Sequence, residues 1–389
     1  MTSGPRLSIF YAACFLWGGA TLVFWPLFLE RRGLDKSEVG TVLGVAIWLR
    51  ALVSPLFAAW ADKHDARRTA LRVLAGLAFA CSFGFLWVHG FWQILFVWIA
   101  FSLCAAQLSP LCDSIALLLH KRGEMQYGRM RLWGSASFLL MTLASGWVLE
   151  GRDVENVVWL VLFGTTAGVV ASIFLPDVRA GTPARSSVVG RPLFVDVVRI
   201  PHFVPLVLAV GFLQCSHATY YAYGTIHWQA AGFGRETIGI LWAIGVLAEI
   251  VLFRHGDQVK QAIGLHGLLA CAVVGGIVRW VWLPWCSNPW LLAPLQLLHA
   301  ASFGATQICA IGIFQKIVPS HLVSTAQSLY VAVPFGLMMG SSMQLSGWLY
   351  ERSPSSAFLA MAVLAALGSI GWPRLLEMRR NEQLVPGQR

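Results

Sequence analysis

The sequence predicts an all-α membrane protein with twelve transmembrane helices in two parallel six-helix repeats. Three observations predict it. Of 389 residues, 57% are hydrophobic and only 12% charged, where a soluble domain carries about a quarter charged residues. The apolar residues fall in runs long enough to cross a bilayer, for which about 20 suffice. Residues of the first half also recur in register in the second. Gly33, Gly40 and Arg50 fall on Gly232, Gly239 and Glu249, and Ser145-Gly-Trp-Val-Leu-Glu150 falls on Ser346-Gly-Trp-Leu-Tyr-Glu351.

The first run, 7–29, is too long for a secretory leader and has no small-residue cleavage site. The spans 37–60, 69–88 and 92–119 follow. The fourth ends in a basic, Gly-containing turn, after which 128–150 and 156–175 complete the first repeat. The stretch 176–201 is polar, contains Pro and carries Arg179, Arg185, Arg191 and Arg199, so it divides the halves. The second repeat reads 202–226, 236–258, 264–283, 289–315, 322–349 and 355–373. The expected domains are 1–175, a cytoplasmic linker 176–201, and 202–389 with a short cytoplasmic tail.

Orientation follows from Lys and Arg, which favour cytoplasmic loops. With the N-terminus inside, those loops collect Lys63, Arg67, Arg68, Arg72, Lys121, Arg122, Arg129, the linker arginines and the tail. The other side holds only Arg31, Arg32, Lys36, Arg152, Arg235 and Arg352. Both termini are placed in the cytoplasm, and the net charge of +10 reflects this asymmetry rather than nucleic-acid binding. The eight Cys are scattered, without CxxC or a Cys/His cluster, so neither a disulfide framework nor a metal site is expected.

A charge at bilayer depth costs roughly 2.5–3.5 kcal/mol on insertion scales. Arg50, Asp113, Arg131, Glu249 and Arg279 lie within spans, with His217 and His299. Asp113 and Arg131 flank the turn at Arg122 symmetrically and should share one depth. For Arg50 a structural ion pair and a functional role are both open. Glu249, far from any loop of the second half, suits a group that gains and loses a proton. His217 lies in the polar, aromatic stretch Gln214-Cys-Ser-His-Ala-Thr-Tyr-Tyr221. Most of the 18 Trp fit an interfacial belt. Gly18-Gly19-Ala20 reads as close helix packing.

Twelve helices in two parallel halves is the arrangement of major facilitator transporters, whose site lies at the midplane. The chain resembles the 3-phenylpropionate permease-like branch of that superfamily, related to lactose permease and to nucleoside:proton symporters. Tyr127-Gly-Arg-Met-Arg-Leu-Trp-Gly-Ser135, Leu213-Gln-Cys-Ser-His217, His227-Trp-Gln-Ala-Ala-Gly232, Val278-Arg-Trp280 and Gln296-Leu-Leu-His299 carry the resemblance. It implies that Asp113 and Arg131 form the substrate site and that Phe138 stacks on the substrate. It also implies a second-half network of Glu249, Arg279 and His299. The carboxylate central to proton coupling in lactose permease falls at Ser302 here. Asp62, Lys63, Arg67 and Arg68 resemble a degenerate form of the superfamily's gating loop.

The expected function is proton-coupled import of an aromatic or other organic acid, such as 3-phenylpropionate, across the bacterial inner membrane by alternating access. Its carboxylate would pair with Arg131. Phe138, Tyr220 and Tyr221 would wall the site, and Glu249 with Arg279, His299, Arg50 and His217 would form the charge network. A sugar or nucleoside symporter and an efflux antiporter are the alternatives. No HExxH, GxSxG or P-loop is present, so neither an enzyme nor ATP coupling is expected. The expected partners are a small-molecule substrate, protons and lipid. No cofactor, metal or nucleic acid is expected, and the chain is expected to be a monomer.

Overall fold

A computed structural model describes residues 3–124, 126–178 and 193–370. Within helices it leaves out a few side chains, among them those of Asp62 and Lys63. Among the described residues each predicted span is helical through most of its length and no strand occurs; 371–373 of the last span lie outside the described residues.

The chain opens with α1 (Ser3–Arg31), α2 (Lys36–Lys63) and α3 (Arg67–Gly84). The fourth span is two helices, α4 (Phe91–Ala105) and α5 (Leu108–Lys121). Pro110 accounts for the break: it donates no hydrogen bond, and its ring crowds the carbonyl of Ala106 four residues back. Next come α6 (Tyr127–Leu149), α7 (Val157–Ile173) and the short α8 (Leu193–Val198).

The seventh span is also split, into α9 (Phe203–Cys215) and α10 (Ala218–Ala230). Here no proline is involved. Ser216 Oγ donates to the Leu213 carbonyl at 2.7 Å, and His217 Nδ1 lies 3.1 Å from the same oxygen. Side chains that bond nearby carbonyls compete with the helical ladder. Then follow α11 (Arg235–Arg254) and α12 (Gly256–Trp282).

The tenth span runs through α13 (Pro289–His299), a π-helical turn at Ala300–Ala305 and α14 (Thr306–Ile317). The eleventh is α15 (Val323–Val331), a π-helical stretch at Ala332–Met338 around Pro334, and α16 (Met339–Arg352). The last is α17 (Pro354–Leu367).

Among the described residues, nine helical stretches are long and apolar enough to cross a membrane. The protein is a multi-pass membrane protein, and its surface agrees: Leu52, Trp87, Trp147 and Trp290 are largely exposed. Apolar surface of that extent suits lipid rather than water.

The chain divides into two compact units, Met1–Val188 with Tyr221–Ala243, and Val189–Tyr220 with Ile244–Arg389. One core of the first unit gathers Phe10, Tyr11, Cys14, Leu74, Leu111, Cys112, Ile115 and Met130. A second gathers Trp25, Phe28, Phe85, Trp98 and Phe101 in ring contact. Within the same unit α6 meets α11: a Cβ on Gly146 would stand 2.7 Å from the Arg235 carbonyl and 3.2 Å from Gly239 Cα. Arg235 NH1 donates to the Leu149 and Arg152 carbonyls. The Glu236 N–H donates to Glu150 at 3.0 Å. The second unit packs Phe203, Leu206, Leu213, Leu268, Ala272, Cys309, Ile313 and Tyr330.

Candidate functional site

The first unit carries a polar cluster at the edge of its apolar core: Tyr11 is buried, Asp113 and Tyr127 are half-buried, and Arg131 is exposed. Asp113 comes from α5 and Arg131 from α6. They do not form an ion pair. The hydroxyl of Tyr127 stands between them, accepting from Arg131 NH1 at 3.1 Å and facing the Asp113 carboxylate. Tyr11 of α1, fully buried, also faces Asp113 and accepts from Ser109 Oγ at 3.5 Å. Oδ1 of Asp113 is buried with no hydrogen-bond partner among the described residues.

Small residues bring these elements together. A Cβ on Gly134 would lie 2.6 Å from the Tyr11 ring, and one on Gly19 would lie 2.5 Å from the Phe138 carbonyl. The missing side chains let α1 sink onto α6. Phe138 lies against Gly18. Arg50, on α2, is half-buried, and no carboxylate pairs with it among the described residues. Its carbonyl accepts from Ser54 Oγ, which in turn accepts from Gln107.

The second unit carries a larger network. Arg279 is 0% exposed, so its charge must be met entirely by protein. NH1 donates to His299 Nδ1 at 3.2 Å and to Ser302 Oγ at 3.1 Å, and NH2 to Gln296 Oε1 at 3.3 Å. The guanidinium also lies over the rings of Tyr220 and Trp280, 4.8 and 4.4 Å from their centroids, an attractive cation–π arrangement. Tyr220 donates to Gln296 Oε1 at 3.0 Å. His299 Nε2 lies 3.4 Å from Glu249 Oε2. His217 Nε2 meets Ser302 Oγ at 3.1 Å.

Donor rules fix the proton positions. A guanidinium only donates, so His299 Nδ1 is the acceptor and the ring proton sits on Nε2, facing Glu249. Carbonyls only accept, so His217 Nδ1, beside the Leu213 and Gln214 carbonyls at 3.1 and 3.2 Å, carries its proton. The π-helical turn that follows His299 leaves His299 and Ser302 both on Arg279, three residues apart. Such turns recur at functional sites.

Glu249, Arg279, His299, His217 and Tyr220 thus share one cluster. Tyr221, adjacent to Tyr220 but about 100° around the helix, instead stacks on Trp242, with centroids 6.2 Å apart in the first unit. In the expected gating loop the side chains of Asp62 and Lys63 lie outside the described residues. Arg67 pairs with Asp65 at 2.6 Å and Arg68 with Asp177 at 3.3 Å. Sequence reasoning missed Tyr11, Ser109, Gln296 and Trp280 as cluster members and did not single out Tyr127 or Ser302 as ligands of the arginines. The spacing Gln296-x-x-His299-x-x-Ser302 was the available signal.

The model of the MFS_1 like family, within the major facilitator superfamily, matches residues 5–360. The chain belongs to that family. It is 29% identical over 363 residues to the "Probable 3-phenylpropionic acid transporter" of Escherichia coli (strain K12), covering 92% of this chain and 94% of the relative. It is 26% identical over 362 residues to the "Maltose permease" of Geobacillus stearothermophilus, covering 88% and 87%. Among solved structures, the nucleoside transporter NupG superposes with a TM-score of 0.80 at 15% identity, over 97% of this chain and 99% of that one. These likenesses establish the major facilitator fold and a secondary transporter of this family.

Proposed function

We propose that this transporter imports an aromatic or other organic acid, such as 3-phenylpropionate, together with protons. The observation that carries the reading is Arg131, held by the Tyr127 hydroxyl rather than by a carboxylate. A guanidinium whose partner is a neutral hydroxyl can exchange it for a substrate carboxylate and gain a charge-assisted, bidentate contact. Phe138 supplies an aromatic face on the same helix. The relative named for 3-phenylpropionic acid supports the acid class. Asp113 and Glu249 are the carboxylates at spanning depth that can take a proton.

A second reading is a sugar symporter. The tyrosine hydroxyls and the carboxylate of the Asp113 cluster can bind hydroxyl groups, and one relative is named a maltose permease. The bacterial inner membrane, cytoplasmic termini, and halves at 1–175 and 202–389 joined by 176–201 complete the proposal, with a monomer as the working unit. Counterflow in proteoliposomes, with labelled arylpropionates, disaccharides and nucleosides at two pH values, tests it. Exchange of the acids alone, stimulated at lower external pH, is expected. Exchange of a disaccharide or nucleoside in preference to every acid would overturn it.

A further inference from the structure

The cluster around Asp113 constrains how charge can enter it. Among the described residues, the groups that face its carboxylate are Tyr11 from α1 and Tyr127 and Arg131 from α6. Ser109, on Asp113's own helix, reaches Tyr11, and the buried Cys112 thiol is its neighbour in sequence. Arg50, on α2, is not among the groups acting on Asp113. With tyrosines and thiol neutral, the cluster holds one positive charge and one negative charge.

An organic anion bound to Arg131 adds a second negative charge. Asp113 is half-buried against the buried Tyr11, where a net charge is unfavourable, and two carboxylates serving one guanidinium repel each other. Uptake of one proton removes both penalties. The structure also supplies a place for it. Oδ1 of Asp113 is buried and receives no hydrogen bond from the described residues. An ionised carboxylate offers about four acceptor sites, whereas a carboxylic acid needs fewer donors and brings one of its own.

We propose that Asp113 takes up the coupled proton as the substrate anion binds Arg131. The empty site is an Asp113 carboxylate with Arg131. The loaded site is an Asp113 carboxylic acid, Arg131 and the substrate carboxylate. The proton comes from the water that delivers the substrate and adds to a carboxylate oxygen. No other bond changes, and the net charge is zero before and after. When the anion displaces Tyr127 from Arg131, the freed hydroxyl oxygen can accept a hydrogen bond from the new carboxylic acid. This assigns coupling to the unit that binds the anion. In the second unit Arg279 already balances Glu249, and its donation to His299 Nδ1 keeps that ring from taking a second proton. The inference rests on the organic-acid reading above.

The test uses the full chain, purified into nanodiscs in weakly buffered solution with a pH indicator and titrated with 3-phenylpropionate. The wild type is expected to take up about one proton per bound anion near neutral pH. Asp113→Asn should take up none for whatever anion it binds, and Asp113→Glu should restore uptake. Anion binding by the wild type without proton uptake overturns the inference while leaving the organic-acid reading in place. Undiminished uptake in Asp113→Asn does the same. Failure of the wild type to bind 3-phenylpropionate or other arylpropionates overturns both. Infrared difference spectra of the wild type and Asp113→Glu locate the proton should Asp113→Asn not bind. A protonated-carboxyl band that shifts in Asp113→Glu supports the inference. A band that ignores this change and is lost in Glu249→Gln overturns it.

Discussion

Arg279 donates to Nδ1 of His299 across 3.2 Å, and this contact dictates which ring nitrogen carries the proton. The imidazole must accept on one side and therefore presents its N–H to Glu249 on the other. A replacement that accepts at the Nδ1 position should keep the network, and one that cannot should break it. His299→Asn, whose amide oxygen can occupy that position, is expected to lose about 1 kcal/mol or less of stability. His299→Leu strands a buried guanidinium N–H and should lose roughly 1–3 kcal/mol. Thermal melts of the purified variants check this ranking, and equal melting would contradict it.

Among the described residues, Tyr127 alone links Arg131 to Asp113 through its hydroxyl. Tyr127→Phe removes the hydroxyl and leaves Arg131 free to swing onto Asp113. Substrate must then compete with a carboxylate, so affinity for the acid should fall about three- to tenfold, corresponding to a net hydrogen bond of roughly 1 kcal/mol. Fluorescence or calorimetric titration measures it. Unchanged affinity would show that Arg131 is not oriented by this contact.

Gly134 allows Tyr11 to lie flat on α6. A Cβ there would meet the ring at 2.6 Å, and Phe15 closes the other side at 3.0 Å. Gly134→Ala therefore has little room to relax and should cost about 1–3 kcal/mol as overpacking. Because Tyr11 also faces Asp113, substrate affinity should fall along with the melting temperature. A variant that melts early but binds normally would separate Tyr11 from the site.

Much of this arrangement was legible in the sequence, for a physical reason. A charge in an apolar run is conspicuous, so Asp113, Arg131, Glu249 and Arg279 stood out, and His217 and His299 with them. The residues that complete the clusters did not. Tyr11, Trp280 and Gln296 are ordinary in a membrane helix, where aromatic residues also form interfacial belts and small polar ones also pack helices. The π-helical turns left no mark because they follow from local hydrogen bonding rather than periodicity. The break at Ser216 and His217 is similar, since it depends on two side chains folding back onto one carbonyl. The split at Pro110 was readable in principle, because proline removes a specific backbone bond.

Outside the membrane, Arg31 holds the Asp153 carboxyl below the usual carboxylate range, helped by the Glu155 backbone N–H. A depressed pKa contributes stability above the unfolded value of about 3.9 and loses it as pH falls through the folded value. The pair is exposed and screened by solvent, so the contribution is small. Melting temperatures taken from pH 6 down to pH 3 should fall slightly less steeply for Asp153→Asn than for the wild type. Parallel curves would show that the pair contributes nothing.

The most direct measurement compares binding of 3-phenylpropionate with binding of its uncharged amide, by calorimetry on the wild type and on Arg131→Ala. The wild type should bind the acid and bind the amide at least about tenfold more weakly, since a charge-assisted contact contributes roughly 1.5–3 kcal/mol. Arg131→Ala should lose that preference along with most of its affinity for the acid. Equal binding of acid and amide by the wild type, or wild-type affinity for the acid in Arg131→Ala, would contradict the assignment of Arg131 as the anchor of the substrate carboxylate.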